Sequence, residues 1–168
     1  DTTGLAHLEG EAVSIALDGV VYASPHNPAY ATVTVTGGAV AIPTGYSTAV
    51  IGLPFTVDVR TLDIESSGTR STKEAGVNVK RVGLWVEETG AVWAGQKVPT
   101  VDHTLTGLHQ HPMRDDEEQA LAAGETKTGY GEILTDGAWS RSGSIFIRHV
   151  DPTPMTLLAA IPYFDAGR

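Results

Sequence analysis

Apolar and polar positions alternate with a period of two along most of this chain. In the opening segment Val13, Ile15 and Leu17 alternate with small or polar residues, the period of a half-buried strand. Asp18-Gly19 follows, a pair suited to a tight hairpin turn whose central positions need positive φ, and Val20-Val21-Tyr22 begins the return. Thr32 to Thr36 alternates strictly, Gly37-Gly38 offers a second two-residue turn, and Ala39 to Ile42 returns. Tyr46 to Ile51 predicts another short strand, closed by Gly52-Leu53-Pro54. These strands are enough for a small barrel or sandwich. Its core (Val13, Ile15, Leu17, Val33, Val35, Val40, Ile42, Val50) is thin, which predicts that it leans on a neighbour.

The second part of the chain keeps the same period with longer strands. Phe55, Val57 and Val59 alternate with Thr56, Asp58 and Arg60, and the strand is expected to run to Leu62. Glu65 to Gly76 is rich in Ser, Thr, Gly and charge and reads as a loop. Val77 and Val79 share one parity, but Val82, Leu84 and Val86 share the other. That slip predicts a bulge near Lys80-Arg81, or a bend between two sheets. Thr89-Gly90 is expected to turn the chain and Ala91 to Ala94 to return. Periodicity is lost from Pro99 to Thr128. Asp115 to Gly124 carries the only good helix signal, with an Asp N-cap candidate, Glu118 in the capping-box position and a terminal Gly. Glu132 to Thr135, Ser144 to Val150 and Met155 to Tyr163 are the expected closing strands. In the last, Met155, Leu157, Ala159, Ile161 and Tyr163 are expected to share one face. The pattern predicts an all-β chain: residues 1–52 a small barrel-like or sandwich subdomain, packed with an antiparallel β-sandwich over 53–168. At most one short helix is expected, and a long irregular loop at 95–128.

The totals agree with that class. The 168 residues include 19 Gly and 9 Pro, which punctuate short segments throughout. A chain of this length buries roughly 70% of its unfolded surface and needs no staple to fold. The net charge of −9, with scattered basic residues, argues against wrapping nucleic acid. With no cysteine, disulfides, thiolate catalysis and Cys-zinc sites are excluded. No apolar run has the length of a membrane span and no signal peptide is visible. The chain opens at Asp1, without a Met, and reads as an excised domain or processed fragment of a longer protein.

Candidate chemistry is sparse. His103, His109 and His111 lie near one another with Asp102, Asp115 and Asp116, and imidazole with carboxylate can hold a transition metal. Their spacing fits no metal motif, and exposed loop histidines are the preferred account, so no metal is expected. Glu87-Glu88 cannot form a glycosidase pair, because adjacent strand residues point to opposite faces. Asp115-Asp116 and Glu117-Glu118 are better explained as the acidic first turn of a helix. No Gly-x-Ser-x-Gly and no phosphate-binding Gly loop occurs, so neither catalytic residues nor a cofactor is expected. Trp85, Trp93 and Trp139, with surface tyrosines, could form a sugar-stacking platform. Trp85 and Trp93 flank the expected Thr89-Gly90 turn, where a structural cross-strand aromatic pair is the preferred account.

An ordered set of segments resembles a family of long virion proteins of tailed bacteriophages. The set begins with His7-Leu8-Glu9-Gly10, Val13-Ser14-Ile15 and Asp18-Gly19. It continues with Thr34 to Pro43, Val50-Ile51-Gly52-Leu53-Pro54-Phe55, Thr61-Leu62 and Val79 to Trp85. It closes with Gly137-Ala138-Trp139-Ser140-Arg141-Ser142-Gly143, Ile145 to Arg148 and Asp151 to Pro162. The family is described as tail nozzle, tail tubular or tail hub proteins. Some members carry a region labelled as like the first catalytic cysteine half-domain of ubiquitin-activating enzymes. That label implies a β fold, and this chain has no cysteine for such chemistry. Between Trp93 and Tyr130 the chain departs from the family pattern.

The resemblance implies a structural virion component in the phage tail, part of the DNA-ejection conduit, and not an enzyme. Family members are much longer, so it also implies a domain pair near the C-terminal end of such a protein. Its partners would be copies of itself in a homo-oligomeric ring, a hexamer by the resemblance, and other tail proteins. DNA would pass without specific binding past an acidic wall, and no membrane is involved. The alternative reading is a carbohydrate-binding or host-adhesion module of a phage tail, with a host glycan on Trp85, Trp93 or Trp139.

Overall fold

A computed structural model of the chain describes residues 2–65, 72–101, 104–113 and 124–167. The first strands are short: β1 (Thr2–Thr3), β2 (Ala12–Leu17), β3 (Val20–Ala23), β4 (Val33–Thr34), β5 (Ala39–Val40) and β6 (Ala49–Gly52). β2 is their centre, pairing antiparallel with β3, β4 and β6, while β1 pairs with β5. Val13, Ile15, Leu17, Ala23, Val35 and Val40 form the core of this unit. The Val, Ile and Leu side chains among them each contribute about 1.5–3 kcal/mol when fully buried. Two carboxylates tie its turns. Asp18, at φ 47° beside Gly19 at 84°, accepts the backbone N–H groups of Ser47 and Thr48. Glu9 accepts those of Gly37 and Gly38 at 2.9 and 2.7 Å, bonds that hold its carboxyl below the usual carboxylate range.

The second unit is a two-layer sandwich. Its elements are β7 (Val57–Arg60), the single-turn α1 (Thr72–Ala75), β8 (Val77–Thr89), β9 (Trp93–Gly95), β10 (His109–Gln110), β11 (Lys127–Leu134), β12 (Trp139–Ser140), β13 (Phe146–His149) and β14 (Thr156–Ala166). One sheet has the order β10-β9-β13-β7. In the other, β8 is flanked by β14 on one edge and by β11 and then β12 on the other. Val77, Val79, Val82, Leu84, Val86 and Ile133 of this sheet face Val92, Ala94, Ile145 and Ile147. The chain is all-β, as the alternation predicts.

The expected bulge is present. Tyr163 pairs with Arg81 and Phe164 with Val79, which leaves Lys80 as the extra residue on β8. A second bulge was not anticipated. Leu157 pairs with Val86 and Ala159 with Trp85, so Leu158 is extra on β14. It divides the face expected to be shared from Met155 to Tyr163. Met155 and Leu157 pack on the core, while Ala159, Ile161 and Tyr163 fall on the outer face with Trp85, Gly83 and Arg81.

The expected Trp85–Trp93 hairpin pair does not form. After Thr89 the chain leaves the β8 sheet, and β9 pairs with β13 and β10 in the opposite one. The reason lies at the corner. Thr89 Oγ1 donates to the Glu87 carbonyl at 2.8 Å, with the Thr156 carbonyl as an alternative acceptor at 3.0 Å, Glu88 takes a φ of 43°, and Gly90 N–H bonds to the Pro154 carbonyl. The strand expected over Thr32–Thr36 is regular only at Val33–Thr34. That expected over Tyr46–Ile51 begins at Ala49. Most of the expected Asp115–Gly124 helix lies outside the described residues.

Gly131 shows how closely the elements fit: a Cβ there would sit 2.5 Å from His111 Nε2. Gly131→Ala is expected to destabilise the fold by about 1–3 kcal/mol in urea unfolding. Gly52→Ala, with open space and no positive φ, is expected to be neutral or mildly stabilising in the same measurement.

Candidate functional site

The outer face of the β14-β8-β11 sheet carries a fixed polar and aromatic cluster. Trp85 of β8 lies opposite Tyr130 of β11, their ring centres 5.8 Å apart and their planes inclined by 47°. The Tyr130 ring reaches back over Gly83, where a Cβ would meet its hydroxyl at 2.3 Å. Only a residue without a side chain permits that crossing. The Tyr130 hydroxyl donates to Glu132 Oε1 at 2.9 Å and lies 2.9 Å from the Tyr163 hydroxyl, which donates to it. Arg81 closes the chain, with Nη1 2.7 Å from Glu132 Oε2 and its guanidinium 4.7 Å above the Tyr163 ring centre. Desolvation, then the bonds to Tyr163 and Glu132, push the Tyr130 hydroxyl well above its usual range, so it remains a donor. Trp85 is 46% exposed.

A second cluster joins the two units. Asn27 Nδ2 donates to both carboxylate oxygens of Asp151 at 3.0 Å, and Ser24 Oγ donates to the Val150 carbonyl. Asp151 is fully buried, and that burial pushes its carboxyl up despite the opposing bonds from Asn27 and Ser24. Beside it, buried His149 places Nδ1 2.7 Å from the Ala91 carbonyl and Nε2 2.8 Å from the Thr153 carbonyl. The His149 ring sits beside the Asp151 carboxylate. A cleft of about 500 Å³ opens next to this junction, lined by Val20, Tyr30, Gly90, Gln110 and Thr153 among others.

The three tryptophans singled out by sequence are not brought together. Trp85 is on the outer face. Trp93, 7% exposed, is buried with Leu108, Phe146 and Val150, and offers no ring face to a ligand. Trp139 is exposed at the far end of β8, opposite Asn78. The histidines separate too. His109 is exposed and pairs with Asp136 at 2.8 Å, whereas His111 is buried with its Nε2 unpartnered. His103, Asp102, Asp115 and Asp116 lie outside the described residues, as do Glu117 and Glu118. Glu87 and Glu88 are both exposed at the end of β8. Among the described residues no three His, Cys, Asp or Glu side chains gather as a metal site.

Sequence reasoning missed Arg81, Tyr130, Glu132 and Tyr163 as a cluster, because their meeting depends on the Leu158 and Lys80 bulges. Asn27 and Asp151 had a signal. Each precedes a proline, which holds the preceding residue extended. No protein-family model matches this chain, and no curated protein matches it.

Two outcomes are expected. Asn27→Ala strips a buried carboxylate of its main donor and should cost about 2–3 kcal/mol in urea unfolding at pH 7. The second concerns His111, whose burial lowers its pKa against the opposing bonds to the Leu84 and Pro112 backbone. Below the ordinary histidine pKa, about 6.5, the unfolded chain takes up a proton that the folded chain refuses. The His111 contribution is thus full above that pH and is lost as pH falls. His111→Gln should flatten this dependence, so the wild type loses stability relative to the variant between about pH 7.5 and pH 5.

Proposed function

We propose that this chain is a structural component of a tailed-bacteriophage virion, a pair of β units from a tail nozzle or hub that forms part of the DNA-ejection conduit. The observation that carries the reading is the ordered set of segments from His7-Leu8-Glu9-Gly10 to Asp151–Pro162 that resembles that family across nearly the whole chain. The architecture suits a load-bearing role. Each unit has its own apolar core, and a buried Asn27–Asp151 tie joins them. The net charge of −9 suits a wall past which phosphates slide without adhering. In this reading the chain works by assembling with copies of itself and with other tail proteins, and carries out no catalysis.

The test is the assembly state of the virion protein that contains this chain, by mass photometry and negative-stain electron microscopy. Uniform rings of about six copies are expected, with closed cyclic symmetry. A persistent monomer, or a slender trimer, would overturn the nozzle and move the chain to a central hub or a fibre.

A further inference from the structure

We propose that the outer face of the β14-β8-β11 sheet, centred on Trp85, Arg81 and Glu132, binds a neutral pyranose oligosaccharide. The inference does not depend on the tail assignment. Trp85 offers an indole that is nearly half exposed at the middle of the face. An aromatic face of this kind packs on the C–H side of a sugar ring. Next to it stand groups that recognise hydroxyls. Glu132 has one partner on each carboxylate oxygen, which leaves acceptor capacity on both. Arg81 binds Glu132 through Nη1, and its Nε and Nη2 make no hydrogen bond among the described residues. The bonded chain from Tyr163 through Tyr130 to Glu132 and Arg81 fixes these groups before any ligand arrives, so little side-chain freedom is lost on binding. The three strands span roughly 10 Å, the length of about two sugar rings.

The chemistry of the face selects the class of ligand. Arg81 and Glu132 cancel in charge, as do Lys80 and Asp165, while Glu87 lies on the same sheet and the whole chain carries −9. An acidic polysaccharide would be repelled, whereas a neutral one supplies hydroxyl donors and acceptors to both members of the pair. The same pair argues against a dry contact with a second copy, since charged residues are depleted at the centre of protein interfaces.

The test is calorimetric titration of the intact chain with cello-, malto-, chito- and mannopentaose, with an oligogalacturonate as the acidic control. At least one neutral pentaose should bind and the oligogalacturonate should not. Trp85→Ala should weaken binding about ten-fold or more, the scale of one aromatic contact. Tyr163→Phe, which keeps the ring but breaks the hydroxyl chain, should also weaken it. Trp139→Ala, at the opposite end of β8 from Trp85, should leave it unchanged and serves as the folding control. No binding of any neutral pentaose, or binding indifferent to both Trp85→Ala and Tyr163→Phe, would overturn the proposal. So would a concentration-dependent dimer, seen by sedimentation, that Trp85→Ala abolishes; that face would then belong to a second copy.

Discussion

The second unit depends on one strand having both edges paired. Val77–Thr89 bonds to β14 along one side and to β11 and β12 along the other. That ladder decides which face of the sandwich is dry. Val77 and Val79 would point opposite to Val82, Leu84 and Val86 if the strand ran without interruption. The extra residue at Lys80 lets both groups enter one core. Arg81, Gly83 and Trp85 alternate with Val82, Leu84 and Val86 and point outward together, and the extra residue at Leu158 brings Tyr163 to the same face. The apolar core and the polar outer cluster thus both follow from the register of β8 with its neighbours.

Two polar ties of similar make have different physical meaning. Asn27 and Asp151 meet where water is excluded, so each is costly without the other, and the bond fixes how the units meet. Arg81 and Glu132 meet in water, where such a pair contributes about 0–1 kcal/mol at most. Stability does not account for the exposed network across three strands. Its clearest effect is to hold two aromatic rings and a guanidinium in one arrangement.

Much of the architecture was legible in the sequence. The Asp18-Gly19 and Gly37-Gly38 turns follow from residue chemistry, because those positions need positive φ. The slip in parity near Lys80 announced its bulge. Leu158 announced nothing, since an alternating run such as Met155 to Tyr163 reads the same whether or not one residue is looped out. The corner after Thr89 was also hidden, as a turn between two strands does not say whether they share a sheet. The corner separated Trp93 from Trp85, and the Leu158 bulge brought Tyr163 to the face that carries Trp85 and Tyr130. The candidate site was therefore legible only through Trp85, and its remaining members are a product of register.

The junction also orders events during synthesis. The first unit can close its sheet around β2 as soon as Gly52 has left the ribosome, because all the partners of β2 precede that point. β8 must wait for β14, whose first residue is bonded to Thr89 across 67 positions. During that wait an apolar strand stands with an open edge, the state most exposed to wrong pairing. Asn27 and Ser24 stay hydrated meanwhile, and their partners Asp151 and Val150 arrive just ahead of β14. Docking of the two units and completion of the long sheet are therefore nearly simultaneous, and a nascent chain stalled before Asp151 would carry one finished unit tethered to an unfinished one.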